Sequence, residues 1–136
     1  MEIMAMTASD YDDVVAVWTE TQELGFSPQF DTKEVIDTYL RRNPQCSSVA
    51  RVNGRIVGAA LCGHDGRRGS LYHVAVLRDY RHQGIATRII GRCMEQLKGH
   101  GIANAFLFSS TPASQEFWEK RGWPVLESIR YHDKVF

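Results

Sequence analysis

The chain has 136 residues, 43% hydrophobic and 24% charged, and its 16 basic residues balance 16 acidic ones to a net charge of zero. That length suits one domain with a single substantial core. The charge balance gives no general reason to expect nucleic acid or an anionic membrane as partner, so any basic site has to be local.

The opening MEIMAMTASDYDD is too acidic, and too short in apolar run, for a signal peptide. Nowhere do about 18 apolar residues follow one another, as a membrane-spanning helix requires. Cys46, Cys62 and Cys93 are odd in number and lack metal-type spacing. Cys62 and Cys93 lie in apolar runs and read as buried structural thiols. The expectation is a reduced, cytoplasmic, soluble protein with no metal.

In chain order, residues 2–6 read as a short strand. Ser9-x-x-Asp12 resembles a helix-starting box, and Val14, Val15, Val17, Trp18 and Thr21 follow at helical spacing. Gly25 and Pro28 break that helix. A second begins at Asp31 or Thr32, shows Val35, Ile36, Tyr39 and Leu40 on one face, and stops at Pro44. SSVARV and RIVGAALCG flank Asn53-Gly54, a two-residue hairpin signal, because both turn positions need positive φ. HDGRRG reads as a second turn, and SLYHVAV as a well-buried strand. After DYRHQG, residues Ile85, Ala86, Ile89, Ile90, Cys93, Met94 and Leu97 mark a helix with one apolar face, ended by Lys98, Gly99 and Gly101. ANAFLF is the next strand, PASQEFWEKRG a shorter helix between Pro112 and Gly122, and WPVLES and IRYHDKVF are closing strands. The order β-α-α-β-β-β-α-β-α-β-β describes a mixed α/β sheet.

The informative junction is DYRHQGIA. A helix N-terminus carries unpartnered N–H groups and about half a positive charge. Gly84 lets a ligand approach the backbone without meeting a Cβ, and Arg81 can grip phosphate oxygens with two parallel hydrogen bonds. Strand, basic loop, glycine and helix together describe an anion site, best suited to phosphate. The alternative is a glycine that merely shapes the turn beside solvated basic residues. Neither G-x-x-x-x-G-K-S/T nor a three-glycine dinucleotide fingerprint is present.

VAVLRDYRHQGIATRII resembles the acyl-CoA motif of the GNAT superfamily of N-acyltransferases. There a strand ends in apolar-Ala-Val, and Arg/Gln-x-x-Gly-x-Gly/Ala opens a helix; here that element is Arg81 to Ala86. FWEKRGW is similar to the family's later Phe/Leu-Tyr-x-x-x-Gly-Phe helix, and the element order agrees along essentially the whole chain.

The resemblance implies a GNAT-like fold over residues 1–136, with a mixed, twisted sheet of six or seven strands and about four helices. It implies that backbone amides of Gln83, Gly84, Ile85 and Ala86 cradle the CoA pyrophosphate, with Arg81, His82 and Thr87 around them. Val74, Ala75 and Val76 offer backbone to the pantetheine arm as an added strand would, and Thr111 stands where the family often has a cofactor-contacting asparagine. The next strand, AFLF, splays away to admit the thioester.

The departures are chemical. Trp118 stands where many members have a tyrosine that protonates the departing thiolate. Ser70 and Phe106 stand where some have a glutamate base. A thiol of pKa about 8.5 leaves tolerably without an acid. Only a neutral amine attacks, and at pH 7.4 a lysine-like amine is about 0.1% neutral against roughly a quarter for an α-amine. The missing bases therefore tilt the acceptor toward an amine of low pKa.

Tyr72, on the strand parity of Ser70 and Val74, is the catalytic candidate. His73 should point the other way, as a packed or capped residue. Tyr131, His132, Glu20 and Glu23 are candidates for the acceptor wall, and Trp18, Phe26 and Phe30 for an apolar pocket. The expected activity is acetyl transfer from acetyl-CoA to a primary amine of a small molecule or peptide. The alternative is an acyl-CoA-binding sensor or partner-binding module with little turnover. Family members often pair through sheet edges or C-terminal strands, which allows a homodimer.

Overall fold

The computed structural model describes residues 1–21 and 25–136. One sheet carries β1 (Glu2–Ala5), β2 (Ser48–Val52), β3 (Arg55–His64), β4 (Gly69–Val76) and β5 (Ala105–Phe106) in that spatial order. Neighbours are antiparallel as far as β4, and β5 joins β4 parallel. Helices α1 (Tyr11–Glu20) and α2 (Lys33–Arg42) lie between β1 and β2, α3 (Ile85–Gly99) crosses from β4 to β5, and α4 (Pro112–Glu119) follows.

Alternation along the strands builds two cores. Val49, Ala59 and Leu61 pack with Val14, Val17 and Trp18 of α1 and with Ile36 of α2. Ala50, Ala60 and Cys62 pack with Ile89, Cys93 and Leu97 of α3 and with Trp118 of α4. A strand covered on both faces reads as an unbroken apolar run, which is the character of RIVGAALCG. The hairpin forms as its residues require, with φ of 51° at Asn53 and 79° at Gly54. All three cysteines are free and buried.

Several elements differ from expectation. The box at the first helix involves Thr7 and Asp10: Thr7 N–H donates to Asp10 Oδ2 at 2.9 Å, and a 3₁₀ turn over Ala8–Asp10 leads into α1. Thr32 caps α2 by accepting the Val35 N–H, while the Val35 side chain faces solvent. The expected six or seven strands are five among the described residues. ANAFLF contributes only Ala105 and Phe106 to the sheet, and WPVLES and IRYHDKVF contribute nothing. A strand needs a partner for its backbone groups. β5, with two residues in register, presents almost no edge to a sixth strand, and residues 126–136 stay exposed.

The local irregularity that matters most lies in β4. Between Ala59↔Ala75 and Leu61↔Tyr72 a two-residue step on β3 faces a three-residue step on β4. The extra residue is His73, at φ 55°, so this is a β-bulge. Trp18 Nε1 donates to the His73 carbonyl at 2.8 Å. His73 Nε2 lies 3.1 Å from Asp31 Oδ2, which also accepts the Ser27 N–H at 3.0 Å. Tyr72 and His73 therefore both lie toward α1 and α2, while Val74 packs toward α3. Simple alternation pairs Tyr72 with Val74 and opposes His73 to both. The inserted residue resets that alternation.

Burial pushes the Asp31 carboxyl up, but the His73 hydrogen bond, the Ser27 N–H and the His73 charge outweigh it and hold the group below its ordinary value. A carboxyl depressed on folding adds stability that is complete above its unfolded value of about 3.9 and is lost as pH falls through the folded value. Between about pH 5 and pH 3 the thermal midpoint should therefore fall more steeply in the wild type than in Asp31→Asn. Scanning calorimetry should show the two curves converging at the acid end.

Candidate active site

β4 and β5 stay together only through Gly69↔Ala105 and Ser70↔Phe106, joined by the Gly69 N–H donating to the Asn104 carbonyl at 2.9 Å. Past Ser70, no strand among the described residues pairs with β4 on this side. Leu77 N–H donates to the Val57 carbonyl at 2.8 Å, so alternation directs Ala75 toward β3 and turns the N–H and C=O of Val76, and the C=O of Val74, to the open edge, while the Val74 N–H shares its peptide group with the His73 carbonyl that Trp18 holds. Arg81 Nε donates to the Val76 carbonyl at 2.8 Å, as that orientation demands. The side chains of Val74 and Val76 enter the α3 core and Ala75 the opposite one, leaving only backbone on the edge.

The open edge runs into a turn. Residues Arg78–Tyr80 form a 3₁₀ turn whose first N–H is held by Glu20 Oε2 at 2.9 Å. His82 (φ 62°) and Gly84 (φ 78°) then adopt left-handed conformations two residues apart. Such conformations bring successive N–H groups round to a common point, the geometry of an anion nest. The first helical bond of α3 joins the Arg88 N–H to the Gly84 carbonyl, so Ile85, Ala86 and Thr87 have N–H groups ahead of the helical ladder, and no side chain caps them. A Cβ built on Gly84 would meet nothing within 4 Å. Glycine is needed there for its φ, and the space beside it is open. His82, Gln83, Gly84 and Thr87 are all exposed.

Arg81 is turned back more than expected. Besides its bond to Val76 it reaches Thr21 Oγ1 at 3.3 Å, which braces the turn against the end of α1. Thr111 caps α4, its hydroxyl accepting the Ser114 N–H at 3.1 Å. Trp118 is buried among Phe117 and Trp123, a packing residue in the α3 core.

The mouth of the β4–β5 split is aromatic on the α1 and α2 side. Tyr72 and Tyr131 both flank Phe108, with ring centroids 6.5 Å and 4.9 Å away, and Phe106 lies 5.7 Å from Phe108 beneath the Arg68 guanidinium. Tyr131 reaches this place from an irregular tail, and both it and His132 are exposed. Phe26 packs on Trp18 and His73, while Phe30 stands apart with half its surface in solvent. Glu23 lies outside the described residues. Asp31 belongs to this face through His73, which no local pattern announces. Burial pushes the Cys46 thiol up, away from nucleophilic use. Among the described residues no group of three or more His, Cys, Asp or Glu is placed to hold a metal ion, and no helix is long and apolar enough to cross a membrane.

This geometry has close relatives. The model of the "Acetyltransferase (GNAT) family" matches residues 11–123. An acetyltransferase of Yersinia pestis (strain Pestoides F) is 37% identical over 131 residues, covering 95% of this chain and 92% of its own. One from Sodalis glossinidius (strain morsitans) is 30% identical over 131 residues, with 95% and 91% covered. Among solved structures, AAC(6′)-Iy in complex with the bisubstrate analogue CoA-S-monomethyl-acetylneamine superposes with a TM-score of 0.77 at 17% identity, over 99% of this chain and 98% of that one. A predicted acetyltransferase with acetyl-CoA from Clostridium acetobutylicum gives 0.74 at 17% identity, over 97% and 95%. At such identities the superpositions speak for the fold, and the sequence matches over most of the chain speak for descent. The chain belongs to the GNAT family of acetyltransferases.

Proposed function

We propose that the chain, as a single domain over residues 1–136, transfers an acetyl group from acetyl-CoA to a primary amine of a small molecule or peptide, by direct attack in a ternary complex. One observation carries this: a strand edge at Val74 and Val76, with no strand partner among the described residues, leads directly into the nest of N–H groups at residues 82–86. An extended amide-bearing arm that ends in a pyrophosphate needs those two features in that order. The edge gives it strand-like hydrogen bonds, and the helix N-terminus receives its negative charge. Arg81, braced on Val76, adds a fixed positive charge beside the cradle.

Acetyl-CoA supplies the activated carbonyl when bound. The chain holds the arm in register, keeps reacting atoms close, and offers the Val74 or Val76 N–H to the oxygen as it gains charge. As the amine nitrogen bonds to carbon and the C–S bond breaks, the proton lost from nitrogen has to be accepted. CoA leaves as the thiolate, the proton passes to that thiolate or to water, and the Tyr72 hydroxyl, half-buried at the mouth, is the candidate group to relay it, donating its own proton as it accepts the other.

A sensor that binds acyl-CoA with little turnover is the second reading. It is favoured by Trp118, whose burial in core packing leaves α4 without the phenol many members use.

CoA thiol release from acetyl-CoA, followed with α-amino peptides, lysine peptides, polyamines, amino acids and aminoglycosides at pH 7 and 9, separates the two. Turnover confined to one acceptor class, rising steeply toward pH 9, is the outcome expected of a transferase without an effective base. Tight acetyl-CoA binding with silence across the panel would establish the sensor, and absence of binding would remove both. Gly84→Ala places a side chain at a left-handed φ, at a cost of about 1–2 kcal/mol, and narrows the cradle. Titration calorimetry should show its acetyl-CoA affinity about tenfold or more below wild type. An unchanged affinity would show that the nest is not the pyrophosphate site.

A further inference from the structure

His73 is the bulged residue of the strand that offers its edge, and it is fastened from two directions. Its carbonyl receives a hydrogen bond from Trp18 Nε1 at 2.8 Å, and Trp18 has no exposed surface, so the donor is locked in the core. Its imidazole Nε2 lies 3.1 Å from Asp31 Oδ2, and that same oxygen accepts the Ser27 N–H at 3.0 Å. Asp31 is held in turn through its own carbonyl, which accepts the Tyr11 hydroxyl at 2.6 Å. The turn at residues 27–31 and the bulge of β4 are thus joined through one carboxylate oxygen.

Pairing of β3 and β4 continues on both sides of the bulge, with the register shifted by one residue across it. What the bulge changes is the aim of the following residue, because an inserted residue rotates the strand beyond it. That residue is Val74, whose N–H belongs to the same peptide group as the His73 carbonyl held by Trp18. A left-handed conformation at a non-glycine residue persists only where its surroundings hold it. Trp18 and Asp31 are part of those surroundings, with the rings of Phe26 and Tyr72 packed against the imidazole.

Resting on the acetyl-transfer reading above, we propose that His73 and Asp31 are positioning residues: they fix the bulge so that the Val74 N–H meets the thioester oxygen, and they tie that geometry to the turn at residues 27–31 on the acceptor side. The cradle at residues 82–86 is a separate piece of backbone, so acetyl-CoA binding and carbonyl alignment should come apart on mutation.

Three variants test this: Asp31→Ala, which removes the shared oxygen; His73→Val, whose β-branch resists positive φ; and His73→Asn, which tolerates positive φ. Isotope-edited infrared spectra of bound [1-¹³C]acetyl-CoA read the hydrogen bond to the carbonyl directly and need no turnover. In wild type the carbonyl stretch should move to lower wavenumber on binding. Asp31→Ala and His73→Val should lose most of that shift, and His73→Asn should keep part of it. The acetyl-CoA dissociation constant should stay within about threefold, and kcat for thiol release should fall about 10- to 100-fold, as small misplacement costs.

Should His73→Val fail to fold, Asp31→Ala carries the comparison. Variants that keep the full shift and kcat while losing only thermal stability would make the pair merely structural and overturn the proposal. An unshifted carbonyl in wild type that binds acetyl-CoA tightly would also overturn it, while leaving the CoA site standing. Wild type that binds no acetyl-CoA would sink the acetyl-transfer reading, and this one with it.

Discussion

Backbone polar groups on a strand have to be paired, and along β4 beyond Ser70 no strand among the described residues supplies one side of that pairing. The arrangement of the site follows from how the fold tolerates the gap. β5 leaves after Phe106, and the chain reaches α4 only at Thr111. β4 nevertheless stays in place, because its other edge is bonded to β3 and its side chains are anchored in both cores: Val74 and Val76 on the α3 side, Ala75 against α1. The strand is therefore rigid and unsatisfied at once. A ligand that extends the sheet meets an edge already in shape, and little ordering cost is left to offset.

Charge enters only locally. The chain is neutral overall, so attraction of a polyanion must come from fixed dipoles and a few side chains. His82 and Gly84 in left-handed conformations gather N–H groups, and α3 contributes the positive end of its dipole. Of the two left-handed residues, Gly84 adopts the conformation without strain, whereas His82 costs about 1–2 kcal/mol. That strain is confined to a turn fastened at both ends, by the Arg81 N–H to the Arg78 carbonyl and by the Arg88 N–H to the Gly84 carbonyl. The cradle is thus preformed in the chain itself.

Features encoded by neighbouring residues were legible in the sequence. Asn53-Gly54 announces its hairpin because two positive φ values in succession admit few alternatives. The face from Ile85 to Leu97 announces α3, and Gly84 announces the left-handed turn that opens it. The bulge was not legible: SLYHVAV is apolar or aromatic on nearly every residue, so inserting one residue leaves no mark in the pattern. Asp31 and His73 are separated by 42 positions, and only the folded chain brings them to 3.1 Å. The tail misled for a related reason. IRYHDKVF has the composition of a strand, but composition supplies no partner, and β5 is too short to offer one.

The replacement of a phenol by Trp118 can be weighed against what the fold retains. General acid–base help is typically worth about 10²–10⁴-fold, or about 3–5 kcal/mol. Holding two reactants in a productive geometry can contribute about 7–11 kcal/mol, and a thiol of pKa near 8.5 departs as the thiolate without much assistance. On the proposed acetyl transfer, the larger of these contributions would reside in backbone: the edge at Val74 and Val76, the bulge beside it, and the turn at residues 82–86. Trp118 packs against Phe117 and Trp123, which seats α4 on the α3 core, and on that proposal the smaller contribution is the one forgone. With proton handling thinned out, rate should depend on how well the acceptor amine is already deprotonated and on how firmly β4 holds its aim. Both dependences converge on the face where Asp31 and His73 meet.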